Sequence, residues 1–155
     1  MTKSAARKIN EAATVAANAE VAPGFWKMTL AAPGAAGAFH PGQFFQLRVD
    51  PRGNAPLLRR PFAPSEIAPD GFAFVYAVVG EGTAAMTRLA PGAKVEVLAP
   101  LGNGYALPRK GSRAVLVGGG CGTPSLRVLA SALAARGVKV YTVIGARTAC
   151  TLLEK

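Results

Sequence analysis

Three short segments carry side chains whose types and spacing suit an anionic, flat-ringed ligand. In Leu58-Arg59-Arg60-Pro61-Phe62-Ala63, two adjacent guanidinium groups precede an aromatic ring. A guanidinium fork meets two phosphate oxygens at once, so a pyrophosphate suits it, and Phe62 could lie against a planar ring. Taken alone, the segment reads more readily as a turn with solvated arginines and a core phenylalanine. In Val75-Tyr76-Ala77-Val78-Val79-Gly80-Glu81-Gly82-Thr83, a strand runs into a small-residue turn and then a short helix. Small residues there let backbone N–H groups approach an anion at a helix start. A simple strand-to-helix turn with Thr83 as N-cap is an equal reading. The third segment, Val117-Gly118-Gly119-Gly120-Cys121-Gly122-Thr123-Pro124, follows a buried strand and opens a helix. That is the context a dinucleotide-binding loop requires, although the spacing is not G-x-G-x-x-G. A plain strand–helix connection is the lesser reading. Cys121 either faces a substrate or is a small buried cysteine. A fourth segment, Pro100-Leu101-Gly102-Asn103-Gly104-Tyr105, marks an Asn-Gly turn and nothing chemical.

No side chain reads as catalytic. His40 is the single histidine, and its Phe-His-Pro-Gly setting is a loop. The 8 acidic residues form no paired-carboxylate motif. The two cysteines, Cys121 and Cys150, are too few for a disulfide framework and match no zinc pattern, so no metal ligands are assigned. Any chemistry must then come from a bound cofactor. The 18 Lys and Arg give a formal charge of +10, which fits a phosphate-rich cofactor, an acidic partner or a polyanion. The cations are scattered, apart from Leu57-Leu58-Arg59-Arg60 and Pro108-Arg109-Lys110-Gly111-Ser112-Arg113, without interleaved aromatics. Nucleic acid is therefore the minor reading. The first residues lack the apolar core of a signal peptide, and no apolar run is long enough to span a bilayer. A soluble, reducing, cytoplasmic setting is the expectation.

The elements that must position these segments change character near residue 108. Before it, short runs at 12–16, 25–30, 43–49, 72–79 and 94–98 are bounded by Pro-Gly and Asp-Gly turns. Such spacing predicts an antiparallel barrel or sandwich, with one short helix around Thr83 to Leu89 and an Ala/Gly-rich loop at 31–38. After it, Ala114-Val115-Leu116-Val117 reads as a strand buried on both faces. Pro124 suits the first turn of a helix, Leu126, Leu129, Ala130 and Leu133 share one helical face, and Gly137 closes it. Residues 138–144 form a second strand. The expected domains are 1–108 and 112–155, the latter a single β-α-β unit. One such unit cannot normally bury both faces of a parallel pair, so the sequence is expected to be a fragment.

In this order, Pro41-Gly42-Gln43-Phe44, Leu57-Leu58-Arg59-Arg60-Pro61-Phe62, Val79-Gly80-Glu81-Gly82-Thr83, Pro100-Leu101-Gly102-Asn103-Gly104 and Gly118-Gly119-Gly120-Cys121-Gly122-Thr123-Pro124 resemble the electron-transfer subunit of type B dihydroorotate dehydrogenase. That family lies in the ferredoxin–NADP reductase superfamily, and the resemblance runs from about residue 11 to the end. It implies an antiparallel Greek-key β-barrel that binds FAD, followed by a partial Rossmann-like nicotinamide-binding α/β domain. By resemblance, Arg60 binds the FAD pyrophosphate, Pro61, Phe62 and Ala63 line the flavin, and Val75, Tyr76 and Ala77 form the strand edge beside it. Gly82 and Thr83 hold the phosphates, and Gly119, Gly120 and Gly122 approach NAD(P)H. The implied function is electron transfer from NADH through FAD and a [2Fe–2S] cluster to a catalytic subunit in pyrimidine biosynthesis, within a hetero-oligomer. Two departures stand out. Ala63 occupies a position where the family has Ser or Thr, with Ser65 shifted by two, and the four cluster cysteines are absent. Three alternatives are a sulfhydrogenase subunit, an NADH-dependent ferredoxin:NADP reductase subunit, and a non-catalytic binding module. The choice of NADH or NADPH stays open, with Arg147 a candidate for a 2′-phosphate.

Overall fold

The computed structural model describes residues 8–50 and 58–153. Leu57, from the arginine-bearing segment, lies outside the described residues. The first part is a seven-stranded antiparallel sheet. Its strands are β1 (Ile9–Ala22), β2 (Phe25–Ala31), β3 (Phe44–Arg48), β4 (Arg60–Phe62), β5 (Glu66–Ala68), β6 (Gly71–Ala77) and β7 (Lys94–Leu101). Two short helices, α1 (Pro33–Ala36) and α2 (Glu81–Thr87), lie between them. The order β4-β3-β7-β1-β2-β6-β5 joins β2 to β6 and β7 to both β1 and β3, the crossover pattern of a Greek key. Alternate residues point inward: Ala13 and Val15, Met28 and Leu30, Phe45 and Leu47, Phe72, Phe74 and Tyr76, Val95 and Val97 are all buried. The sheet curls on itself. Phe62 on β4 reaches across to Phe74 and Tyr76 on β6, with ring centroids 4.9 and 6.1 Å apart. Edge-on contacts of Phe45 with Phe72 and Phe74 fill the middle of this aromatic core.

A loop over residues 102–112 leads to a second buried cluster. There β8 (Arg113–Gly119) and β9 (Lys139–Gly145) pair in parallel, from Arg113 opposite Lys139 to Gly119 opposite Gly145. They are connected through a 3-10 turn at Gly120–Gly122 and the helix α3 (Leu126–Ala135). Leu129 and Leu133 of α3 pack on Leu116 and Val138, with Leu126 and Ala130 partly buried beside them. Gly137 ends the helix at φ +72°, a conformation that costs other residues roughly 1–2 kcal/mol. An ion pair ties the two parts together: Arg127 Nη1 on α3 lies 2.8 Å from Glu66 Oε1 on β5. Lys27 Nζ on β2 donates to the same oxygen at 2.8 Å.

Several expectations need correction. The run Ala114–Val117 is not buried on both faces. Leu116 is buried under α3, but Val115 is 65% and Val117 73% exposed. Tyr141 and Val143, their partners across the parallel pair, are also exposed. The physical reason is that α3 covers one face only, and no described element packs on the other. The first strand extends well beyond residues 12–16, because β2 on one side and β7 on the other supply ladder partners that its Ala-, Asn- and Glu-rich sequence does not advertise. Residues 33–36 turn out helical, with Pro33 in the first turn, where its missing N–H goes unmissed. Helix α2 begins at Glu81, two residues ahead of the expected start. Pro124 precedes α3, whose first residue is Leu126.

Candidate cofactor site

Strand pairing decides which of the adjacent arginines faces the cleft. Arg59 turns to the sheet exterior, where its guanidinium pairs with Glu96 and donates to Asn10 Oδ1. Burial, with Arg48 nearby, lowers its pKa from the ordinary guanidinium value. Arg60 points the other way, and its Nη1 donates to the Leu58 carbonyl. Its guanidinium lies directly on the backbone of Gly82, so closely that any Cβ at position 82 would overlap it. This contact joins the arginine segment to the glycine turn, although more than twenty residues separate them in the chain.

The turn itself is built by Thr83. Its hydroxyl accepts from the N–H groups of Val79 at 2.9 Å and Gly80 at 3.2 Å, and donates to the Gly80 carbonyl at 3.0 Å. Thr83 is therefore the third residue of a capping arrangement around Gly80, not the N-cap itself. The single hydroxyl proton is committed inside the turn, which leaves anion binding here to backbone N–H groups. The first-turn N–H groups of a helix have no partner within it.

These elements enclose a cleft of about 410 Å3. One wall is Arg60, Pro61, Phe62 and Ala63, from β4 and its exit. A second is Val75, Tyr76 and Ala77, the end of β6, continued by Val79 and Thr83. The third comes from the other part of the molecule: Cys121, Gly122, Pro124 and Ser125. A larger cleft of about 740 Å3 adjoins it. Gly119, Gly120, Gly145, Ala146, Arg147 and Thr148 line this second space at the C-terminal ends of β8 and β9, with Phe25 and Ala77 opposite. Cys121 and Ala77 border both clefts.

Arg60, Pro61, Phe62, Ala63, Val75, Tyr76, Ala77, Thr83 and Gly122 line the smaller cleft, and Gly82 supports Arg60 from behind. Gly119, Gly120 and Arg147 fall in the larger one. Cys121 is exposed, which settles the alternative of a buried cysteine. Ser65 does not substitute for a hydroxyl at Ala63: it is buried and donates to the Ala73 carbonyl at 3.2 Å. His40 sits in a turn, where its N–H donates to Gln43 Oε1 at 2.8 Å.

Sequence reading missed Asn18. Its side-chain N–H groups donate to the Met86 carbonyl at 2.8 Å and the Leu89 carbonyl at 3.1 Å. Its Oδ1 accepts from the Tyr76 hydroxyl at 3.1 Å. Burial pushes the Tyr76 phenol up to about 12, with the Asn18 hydrogen bond acting in the opposite direction. An asparagine in an Ala-rich strand carries no signal of this, since its partners come from later elements.

No family model matches the chain. The dihydroorotate dehydrogenase B (NAD(+)) electron transfer subunit of Bacillus velezensis is 39% identical over 140 residues, 88% of this chain and 54% of that protein. The protein of the same name from Bacillus caldolyticus is 41% identical over 142 residues, 89% of this chain and 55% of that one. Over that span the chain is similar to these electron-transfer subunits. It spans about half the length of the curated relatives it matches. Among solved structures, an NADH-dependent reduced ferredoxin-NADP oxidoreductase superposes with a TM-score of 0.82 at 28% identity, over 92% of this chain and 51% of that one. The likeness covers both parts of the fold, the curled antiparallel sheet and the β-α-β unit. Among the described residues, no helix is long and apolar enough to cross a membrane.

Proposed function

We propose that this chain is a flavin-binding oxidoreductase module, which holds FAD in the smaller cleft and receives a nicotinamide dinucleotide in the larger one. The observation that carries the reading is the convergence of three separate segments on one cleft that adjoins a second. The residues present suit the group. Arg60 supplies a guanidinium for the pyrophosphate, next to a glycine turn whose backbone can come close. Phe62 offers flat apolar surface for a ring, with Pro61 and Ala63 beside it and Val75, Tyr76 and Ala77 at the strand edge. Gly82 and Thr83 shape the phosphate end, and Gly119, Gly120 and Gly122 remove side chains where a dinucleotide would approach.

When bound, FAD exchanges a hydride with a nicotinamide and passes electrons on singly. The chain's own part is to bind, orient and enclose. Arg60 neutralises phosphate charge, and the Thr83 hydroxyl holds the turn that leads into α2. The two clefts share Cys121 and Ala77 as lining residues. A [2Fe–2S] cluster does not fit these residues. It needs four ligands, the sequence has two cysteines, and no group of three or more His, Cys, Asp or Glu suited to a metal occurs among the described residues.

The names of the relatives support NADH as donor and a dihydroorotate dehydrogenase catalytic subunit as redox partner, hence a hetero-oligomer serving pyrimidine biosynthesis. Two free thiols accord with a reducing, cytoplasmic compartment. The test is an absorbance spectrum after reconstitution with FAD and gel filtration, followed by anaerobic addition of NADH. Flavin bands that co-elute with the chain and bleach on NADH are the expected result. A colourless chain after reconstitution refutes the cofactor assignment, and retained flavin that NADH leaves oxidised refutes the dinucleotide half.

A further inference from the structure

The smaller cleft has two walls that are not hydrogen-bonded to each other as strands are: the end of β6, which carries Tyr76, and α2, which carries Thr83. Something must fix their spacing. Helix α2 is only seven residues long, too short to hold its place by its own hydrogen bonding. Asn18 lies outside the cleft, on β1, and touches both walls. One N–H bond reaches the Met86 carbonyl in the last turn of α2, the other reaches the Leu89 carbonyl just beyond it, and the amide oxygen receives the Tyr76 hydroxyl. Both donors and the acceptor of the side chain are thus engaged with elements distant in sequence. Tyr76 is fully buried, so its hydroxyl has no solvent to fall back on.

We propose that Asn18 is a positioning residue of the cofactor cleft, which sets the separation of the Tyr76 and Thr83 walls by tying the phenol of one to the helix-end carbonyls of the other. The proposal rests on the flavin reading for its binding readout, and a second readout is independent of flavin. No shorter or apolar side chain at position 18 can bridge the three partners. Serine and alanine are too short, and leucine offers no polar atom.

The experiment uses the full chain and four forms: wild type, Asn18→Ala, Tyr76→Phe and the double variant. FAD affinity is measured by flavin fluorescence titration. Asn18→Ala is expected to weaken FAD by about tenfold or more, the scale of a buried polar group left unpaired. Tyr76→Phe keeps the ring in the wall and is expected to cost less. In the double variant the losses should fall short of their product, because both act through one contact. Strict multiplicativity, or an Asn18→Ala affinity equal to wild type, overturns the proposal. The independent readout is the ultraviolet titration of Tyr76 in a Tyr105→Phe/Tyr141→Phe background, without flavin. Removing Asn18 takes the acceptor away from the phenol proton and should shift that titration. An unmoved titration overturns the coupling even where FAD is retained. A wild-type chain that binds no FAD while its Tyr76 titration moves with Asn18 refutes the cofactor reading and leaves the tie itself standing. Thermal melts of each form identify a variant that fails to fold, and Tyr76→Phe then carries the comparison in its place, with equal flavin affinity and unchanged cleft as the refuting result.

Discussion

Replacing Gly82 with alanine separates binding from folding in a single methyl group. Position 82 lies inside α2 and does not need a left-handed backbone, so alanine suits the local conformation. On helix propensity alone the change stabilises by about 0.5–1 kcal/mol. The added Cβ, however, would fall inside the distance that real Cβ atoms keep, and the atoms it meets are Nε, Nη2 and Cζ of Arg60. Those are the far end of a flexible side chain, so the helix stays and the guanidinium leaves. It must withdraw by about 1 Å or more to restore ordinary contact. Charge-assisted hydrogen bonds are worth about 1.5–3 kcal/mol, and losing their alignment to a phosphate weakens binding about 10- to 150-fold. The assay is FAD titration by fluorescence alongside a thermal melt. An unchanged or raised melting temperature with strongly weakened FAD is expected. Gly82→Ala that binds FAD as well as wild type refutes the assignment of Arg60 to the cofactor.

Three further outcomes follow from the described contacts. Tyr76 is held protonated, its value raised from 10.0 to about 12, so the stabilisation is fully present below pH 10 and is lost as pH rises towards 12. By linkage about 2–3 kcal/mol disappears over that window, and alkaline unfolding monitored by circular dichroism should be less steep in Tyr76→Phe. Glu66 is held below the usual carboxylate range first by the Lys27 hydrogen bond, against an opposing burial effect, with Lys27 and Arg127 charges adding to it. Its stabilisation is present above the unfolded value and fades as pH falls through the folded one. The pairs are partly exposed, so Glu66→Gln should cost no more than about 1 kcal/mol globally, yet speed amide exchange in α3 relative to the barrel. Thr83→Val removes all three hydroxyl bonds of the turn, and a loss of about 1–2 kcal/mol in a denaturant titration is expected, with weaker FAD binding.

What the sequence makes legible follows the range of the interactions involved. The turn dipeptides and apolar alternation mark β2, β3, β6 and β7, because inward residues such as Phe45, Leu47, Val95 and Val97 alternate locally. The arginine and glycine segments are visible as chemistry, and their order along the chain carries the family resemblance. The choice of Arg60 over Arg59 comes from the resemblance and not from the residue types, since physically it depends on which side of β4 faces inward once Phe62 has found Phe74. The full length of β1 is hidden for a related reason: its pairing is set by β2 and β7 and not by its own residues. The expectation of a doubly buried β8 fails because a run of apolar residues states what a strand tolerates, while the neighbours decide what it receives. Asn18 is illegible altogether, since its role exists only once β6 and α2 are in place.

The strand pairing has a consequence for the order in which this molecule can assemble. Ile9 pairs with Ala99, and Phe44 with Leu101, so the first strand waits for the last strand of its sheet. The β8–β9 pair joins Arg113 to Lys139 through an intervening helix, a far more local closure. Contacts between distant residues form slowly, because the loop between them must be closed before any pairing rewards it. On the ribosome the barrel therefore stays open until β7 has emerged. The smaller cleft is complete only when Ser125 follows, since its third wall comes from that stretch. If the smaller cleft holds FAD as proposed, its capture is a late event in the life of the nascent chain, and free flavin during refolding should accelerate the final docking of the β-α-β unit more than the closure of the barrel.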